Sequence, residues 1–68
     1  MPPRPQELAR KLKKLGFDEY PGRGAHRFFV HPDGRTTVIS FHRRELKKPT
    51  YLAILKQAGV TEEELQNM

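Results

Sequence analysis

The stretch Ala25-His26-Arg27-Phe28-Phe29-Val30-His31-Pro32-Asp33-Gly34-Arg35-Thr36-Thr37-Val38-Ile39-Ser40-Phe41 decides the fold. Residues 25–31 are rich in aromatic and branched side chains and read as a strand. His31-Pro32-Asp33-Gly34 then reads as a type I turn, with proline at its second position and glycine at its fourth. Residues 35–41 return as another strand, so the two are expected to pair as a hairpin. If a glycine bulge follows the turn, His31 lies opposite Arg35. Period-two alternation then places Arg27, Phe29, Thr37, Ile39 and Phe41 on one face. His26, Phe28, Val30, Thr36, Val38 and Ser40 share the other. The first set carries the larger apolar side chains and is expected to face the core, although Phe28, Val30 and Val38 on the second face are apolar too.

Upstream, Pro21-Gly22-Arg23-Gly24 punctuates the chain as a turn, and residues 17–20 before it form a short strand candidate. Residues 6–15 read as a helix, with Leu8, Leu12 and Leu15 on one face and Ala9 beside them. Gly16 ends it, and Phe17 is placed to fold back onto Leu12. Downstream, residues 49–58 read as a second helix with Pro49 in its first turn. Leu52, Leu55 and Ala58 are expected as its inner stripe, with Tyr51 and Ile54 at the edges. Gly59 ends that helix, and Val60 is placed to contact Leu55. Thr61-Glu62-Glu63-Glu64 is a capping box that starts a short last helix, with Val60 and Leu65 as a hydrophobic staple. The order is therefore helix, three antiparallel strands, helix, with a short terminal helix: an α+β chain whose helices cover one face of a sheet. The other face stays open to solvent or to a partner.

The 68 residues allow one domain, spanning 1–68, whose core is small. There is no cysteine, which excludes a disulfide framework and suits a reducing cytoplasm. No apolar run approaches the roughly 18–20 residues of a membrane span. Met1-Pro2-Pro3-Arg4-Pro5 has no apolar stretch behind it and does not read as a signal peptide. Thirteen Lys and Arg against eight Asp and Glu give a formal charge of +5. Three of the acids, Glu62, Glu63 and Glu64, sit together, so the rest of the chain carries most of the positive excess. Such a surface attracts polyanions, nucleic acid foremost, or serves solubility alone.

Gly24-Ala25-His26-Arg27-Phe28-Phe29, His31-Pro32-Asp33-Gly34-Arg35, Glu45-Leu46 and Ile54-Leu55-Lys56-Gln57-Ala58-Gly59 together resemble, in order and spacing, the HicA toxins. These are the ribonuclease partners of HicB antitoxins. The resemblance covers about residues 6–60, and the Ile-Leu-Lys-Gln-Ala-Gly ending is its most particular part. It implies a fold like a double-stranded-RNA-binding domain, and metal-independent endonucleolytic cleavage of messenger RNA. It also implies inhibition by a HicB-like antitoxin protein. The family's catalytic histidine follows a Gly-Ser pair and maps onto His26. Ala25 stands where the family usually has that serine, and Pro49 where it often has glycine.

Metal-free RNA cleavage needs a base to take the ribose 2′-hydroxyl proton and an acid to protonate the departing 5′-oxygen. Imidazole suits both roles. His26, expected on the open face just after a glycine-containing turn, is the candidate catalytic residue. The rival reading is an ordinary surface histidine. Phosphate is expected at the amides of Gly22 to Gly24 and at the Arg23 side chain. Arg27 is a second candidate for RNA contact or, if it faces the core, a snorkelling side chain. Phe28 on the open face is placed to stack a base or to meet a protein partner. Lys11, Lys14, Arg43, Arg44, Lys47 and Lys48 are candidates to follow an RNA backbone, or are simply solvated. His31 is expected to serve its turn. His42 is the candidate second acid or base. The spacing of residues 26, 31 and 42 matches no zinc-ligand motif, so neither metal nor other cofactor is expected. A non-catalytic RNA-binding module of the same fold, or a module that binds an acidic protein, would also account for the charge.

Overall fold

A computed structural model describes residues 2–68. The chain runs α1 (Pro5–Lys14), β1 (Asp18–Pro21), β2 (His26–Val30), β3 (Thr36–Ser40), α2 (Lys48–Ala58) and α3 (Glu62–Gln66). The strands form one antiparallel sheet in the order β1-β2-β3. This is the expected α+β arrangement of helix, three strands and helices.

The hairpin forms in the expected register. Phe28 lies opposite Val38 and Phe29 opposite Thr37. At the turn, the His31 amide donates to the Arg35 carbonyl at 2.8 Å, and the Gly34 amide to the His31 carbonyl at 2.9 Å. Phe29, Thr37 and Ile39 are buried beneath the helices, whereas Phe28 on the opposite face is exposed. Thr37 carries the one buried polar side chain of this face, and its hydroxyl donates to Gln57 Oε1 on α2 at 2.8 Å. That bond satisfies a group which would otherwise cost stability when dehydrated.

Leu8, Ala9 and Leu12 seat α1 in the core. The helix ends in a Schellman-type closure, with the Phe17 amide donating to the Leu12 carbonyl and the Gly16 amide to the Lys13 carbonyl, both at 3.0 Å. Phe17 is thereby spent on the helix ending and is buried, so β1 begins one residue later than its apolar start suggests. Helix α2 ends the same way: Gly59 has φ 65°, and the Val60 amide donates to the Leu55 carbonyl at 3.0 Å. A side chain at Gly59 would be strained by that φ and would also crowd Arg35, whose Cδ lies 3.2 Å from the position of its Cβ. The capping box of α3 is present in full, with Thr61 and Glu64 exchanging bonds. Val60 and Leu65 are both buried in the shared core.

One expectation is corrected. The inner stripe of α2 is Tyr51, Ile54, Leu55 and Ala58, and Leu52 is 41% exposed. Tyr51-Leu52-Ala53-Ile54-Leu55 is apolar throughout. Its periodicity allows two stripes one residue apart, and docking against β3 selects the one containing Tyr51.

Candidate functional site

The open face of the sheet is built from the residues that alternate away from the helices. Three cross-strand rows can be traced on it. Asp18, Val30 and Thr36 make one, and Tyr20, Phe28 and Val38 the next. His26 and Ser40 make the third, at the end of the sheet where β2 begins and β3 finishes. Past that row the Phe41 amide donates to the Ala25 carbonyl at 2.9 Å, closing the hairpin end. The ladder alternates, so His26 and Ser40 form a non-hydrogen-bonded pair, the type in which facing side chains approach most closely.

His26 is exposed, and its ring is held from one side. Its Nδ1 lies 3.2 Å from the Arg23 carbonyl oxygen. The same carbonyl accepts from the His26 backbone amide at 3.1 Å. Because a carbonyl only accepts, the contact is a hydrogen bond when Nδ1 carries the proton. In the neutral ring that leaves Nε2 unprotonated and available as an acceptor. The turn is packed tightly behind this arrangement. The Gly22 amide donates to the His26 carbonyl at 3.0 Å, and a Cβ at Gly22 would sit 2.6 Å from that oxygen. Glycine at position 22 therefore permits the close approach that places His26. The same bond occupies the Gly22 amide, so that amide is not free to join an anion cradle at this turn.

The expected site residues divide between the two faces. Arg23 and Gly24 belong to the turn beside His26 and are exposed, and Phe28 lies two residues along β2 on the same face. His42 and Arg43 are exposed in the segment leaving β3. The His42 amide donates to Ser40 Oγ at 3.3 Å, which fastens that segment to the row containing His26. Ser40, His42, Arg43, Glu45 and Lys47 line a groove that runs on from it. Arg27 is on the helix-covered side, where its Nε donates to Glu19 Oε2 at 2.8 Å. Glu19 also pairs with Lys13, so it ties α1 to β1 and β2. Lys13 foremost, then Arg27, holds the Glu19 carboxyl below its ordinary pKa against the opposing effect of burial. Lys11 is half-buried on α1, 3.8 Å from Glu7, and Lys14 is exposed at the end of that helix. Helix α1 packs on the far side of the sheet from His26, so these two lysines are not gathered with the histidine.

His31 serves its turn. Its Nδ1 accepts from the Asp33 amide at 3.2 Å, and its ring meets Phe17 edge-on at 5.1 Å between centroids. Among the described residues no group of three or more His, Cys, Asp or Glu is placed to hold a metal ion.

Tyr20 is the residue that sequence reading missed as a member of this face. Tyr20 is 51% exposed opposite Phe28, itself 41% exposed. Ser40 was legible as a neighbour of His26 from the hairpin alternation. Tyr20 was not, because a four-residue strand carries too little alternation to set its face.

A family model described as "HicA toxin of bacterial toxin-antitoxin" matches residues 5–60 of the chain. The chain belongs to the HicA toxin family. The match spans α1 to the end of α2 and therefore includes His26 and its turn. A search of curated proteins found no match. Among the described residues of this HicA chain no helix is long and apolar enough to cross a membrane.

Proposed function

We propose that this HicA-family chain is a cytoplasmic endoribonuclease that cleaves messenger RNA without a metal ion and is restrained by a HicB-like antitoxin. The observation that carries the reading is the 3.2 Å contact between Nδ1 of the exposed His26 and the Arg23 carbonyl, which is a hydrogen bond in the tautomer whose Nε2 is unprotonated. In that state His26 can accept the ribose 2′-hydroxyl proton. The 2′-oxygen then attacks the adjacent phosphorus, and the bond from phosphorus to the 5′-oxygen breaks. The products carry a cyclic 2′,3′-phosphate and a free 5′-hydroxyl. Arg23 stands next to His26 to neutralise charge on the phosphate. His42 is the candidate to protonate the departing oxygen, from the segment fastened to Ser40.

Ala25 favours a second reading, a non-catalytic RNA-binding module, because it brings no hydroxyl to the position before His26. One experiment separates the two. Labelled single-stranded RNA is incubated in EDTA with wild-type protein and with His26→Ala. Cleavage by wild type that the variant loses is the expected result. Cleavage that persists in the variant would remove His26 from the chemistry. Salt-sensitive binding with no cleavage by either protein would establish the module.

A further inference from the structure

The open face carries one feature that cleavage at His26 does not use. Tyr20 on β1 and Phe28 on β2 are cross-strand partners, and both rings are exposed. Val38 extends their row onto β3. The rows on either side are mostly polar, with Asp18 and Thr36 beyond one edge and His26 and Ser40 beyond the other. The apolar surface is thus a single narrow band, too small for the core of a stable protein interface. Two neighbouring aromatic rings suit a planar ligand better, and a nucleobase presents such a face whatever its sequence.

Charge complementarity selects the same ligand. Arg23, Arg43, Arg44 and Lys47 are exposed at the end of the sheet occupied by His26. None of the four makes an ion pair among the described residues. The acidic run Glu62–Glu64 belongs to α3, which packs through Leu65 into the core on the helix side of the sheet. A polyanion approaching the open face therefore meets four unpaired cations against two acids, Asp18 at the far edge and Glu45 between Arg44 and Lys47. The row of rings is one strand repeat, about 7 Å, from the row of His26. A strand whose phosphate lies at His26 can rest its neighbouring bases on the rings.

We infer that Tyr20 and Phe28 form a stacking platform for unpaired bases next to the scissile phosphate, so that the substrate is single-stranded RNA. This rests on the RNA reading of the His26 site and adds the form of RNA that the site accepts. A duplex keeps its bases stacked on one another and cannot offer them to the rings.

The test uses a fluorescently labelled 2′-O-methyl oligoribonucleotide of mixed sequence, which cannot be cleaved through its 2′-oxygens, so binding is read apart from chemistry. Tyr20→Ala and Phe28→Ala are each expected to weaken binding roughly 5- to 100-fold. Phe28→Tyr keeps a ring and is expected to bind within about twofold of wild type. The same oligonucleotide annealed to its complement is expected to bind more weakly than the single strand. Far-ultraviolet circular dichroism checks that each variant is folded. Wild-type affinity in both alanine variants, or duplex binding equal to single-strand binding, would overturn the platform. If the rings matter for binding but unmodified RNA is never cleaved, the platform stands and the nuclease reading fails.

Discussion

The Arg35 guanidinium donates from Nη1 to the Ala58 carbonyl at 2.7 Å, joining the start of the third strand to the end of α2 across 23 positions of sequence. The carbonyls of the last helical turn have no partner within the helix, and a cation there also complements the helix dipole. The same side chain lies 5.3 Å from the Phe17 ring and donates from Nε to Asp33 at 2.8 Å. One residue thus braces the hairpin turn, the ending of α1 and the ending of α2.

Arg35→Ala should therefore destabilise more than an ordinary surface substitution. A bond from a charged donor is worth about 1.5–3 kcal/mol and an exposed cation–π contact about 0.5–1 kcal/mol. Arg35 is partly exposed, and we expect a loss of about 1–2 kcal/mol, visible as a melting temperature lower by roughly 5–15 °C. RNA binding measured well below the transition should not change, because Arg35 is at the end of the sheet away from His26. A melting temperature within about 2 °C of wild type would show that water replaces the guanidinium at the Ala58 carbonyl without cost.

Phe28 and Phe29 are adjacent in sequence but occupy opposite faces, the first 41% exposed and the second fully buried. Phe29→Ala removes a large side chain from the middle of a small core and should cost about 3–5 kcal/mol. A 68-residue chain has only about 3–10 kcal/mol of total stability, so this variant should be largely unfolded or melt far below wild type. Phe28→Ala should cost less than about 1 kcal/mol, the scale of a cross-strand contact. Thermal melts of the two variants side by side check the assignment of faces. Similar losses in both would mean that the sheet is covered on both sides.

Much of this was legible in the sequence because the decisive signals are local. His31-Pro32-Asp33-Gly34 fixes the turn, the turn fixes the register, and the register separates Phe28 from Phe29 and exposes His26. Gly16, Gly59 and the Thr61–Glu64 box mark helix ends through chemistry confined to a few residues. What was not legible depends on distant partners. Leu52 and Tyr51 compete for the inside of α2, and only docking on the sheet decides between them. The partner of Arg27 is Glu19, which reaches it across two strands. The place of Tyr20 depends on the pairing of β1, and the Pro21–Gly24 turn does not dictate that pairing as the second turn dictates its own.

The Glu19 carboxylate supplies a dependence on pH. Its pKa is held below the ordinary value, chiefly by the hydrogen bond from Lys13, and Asp33 is held low chiefly by the Arg35 amide. A carboxylate whose pKa is depressed on folding adds stability above its unfolded pKa, and that stability is lost as pH falls through the folded value. Melting temperature should thus be level on acidifying from neutrality to the ordinary carboxylate range, then fall below it. Glu19→Gln should melt lower at neutral pH, by the equivalent of under about 1 kcal/mol because the lysine is exposed to solvent. It should also show a shallower acid limb. An acid limb identical to wild type would assign the slope to Asp33 and other carboxylates instead.

The division of cations between the two faces predicts how salt acts on RNA binding. Each phosphate neutralised on a single strand releases counterions, and log Kobs falls with log salt by about 0.7 per contact. Arg23 and Arg43 are exposed at the end of the sheet that holds His26, so Arg23→Ala and Arg43→Ala should each lower the slope by about 0.7 and weaken binding. Lys14 is equally exposed and equally charged, but it belongs to α1 on the far side of the sheet. Lys14→Ala should then leave the slope unchanged and shift affinity only through the small loss of net charge. Fluorescence anisotropy with the non-cleavable oligonucleotide over a range of salt concentrations measures all three. Loss of slope in Lys14→Ala with none in Arg23→Ala would place the RNA backbone along α1. The open face would then be free for another ligand, with His26 removed from the path of the strand.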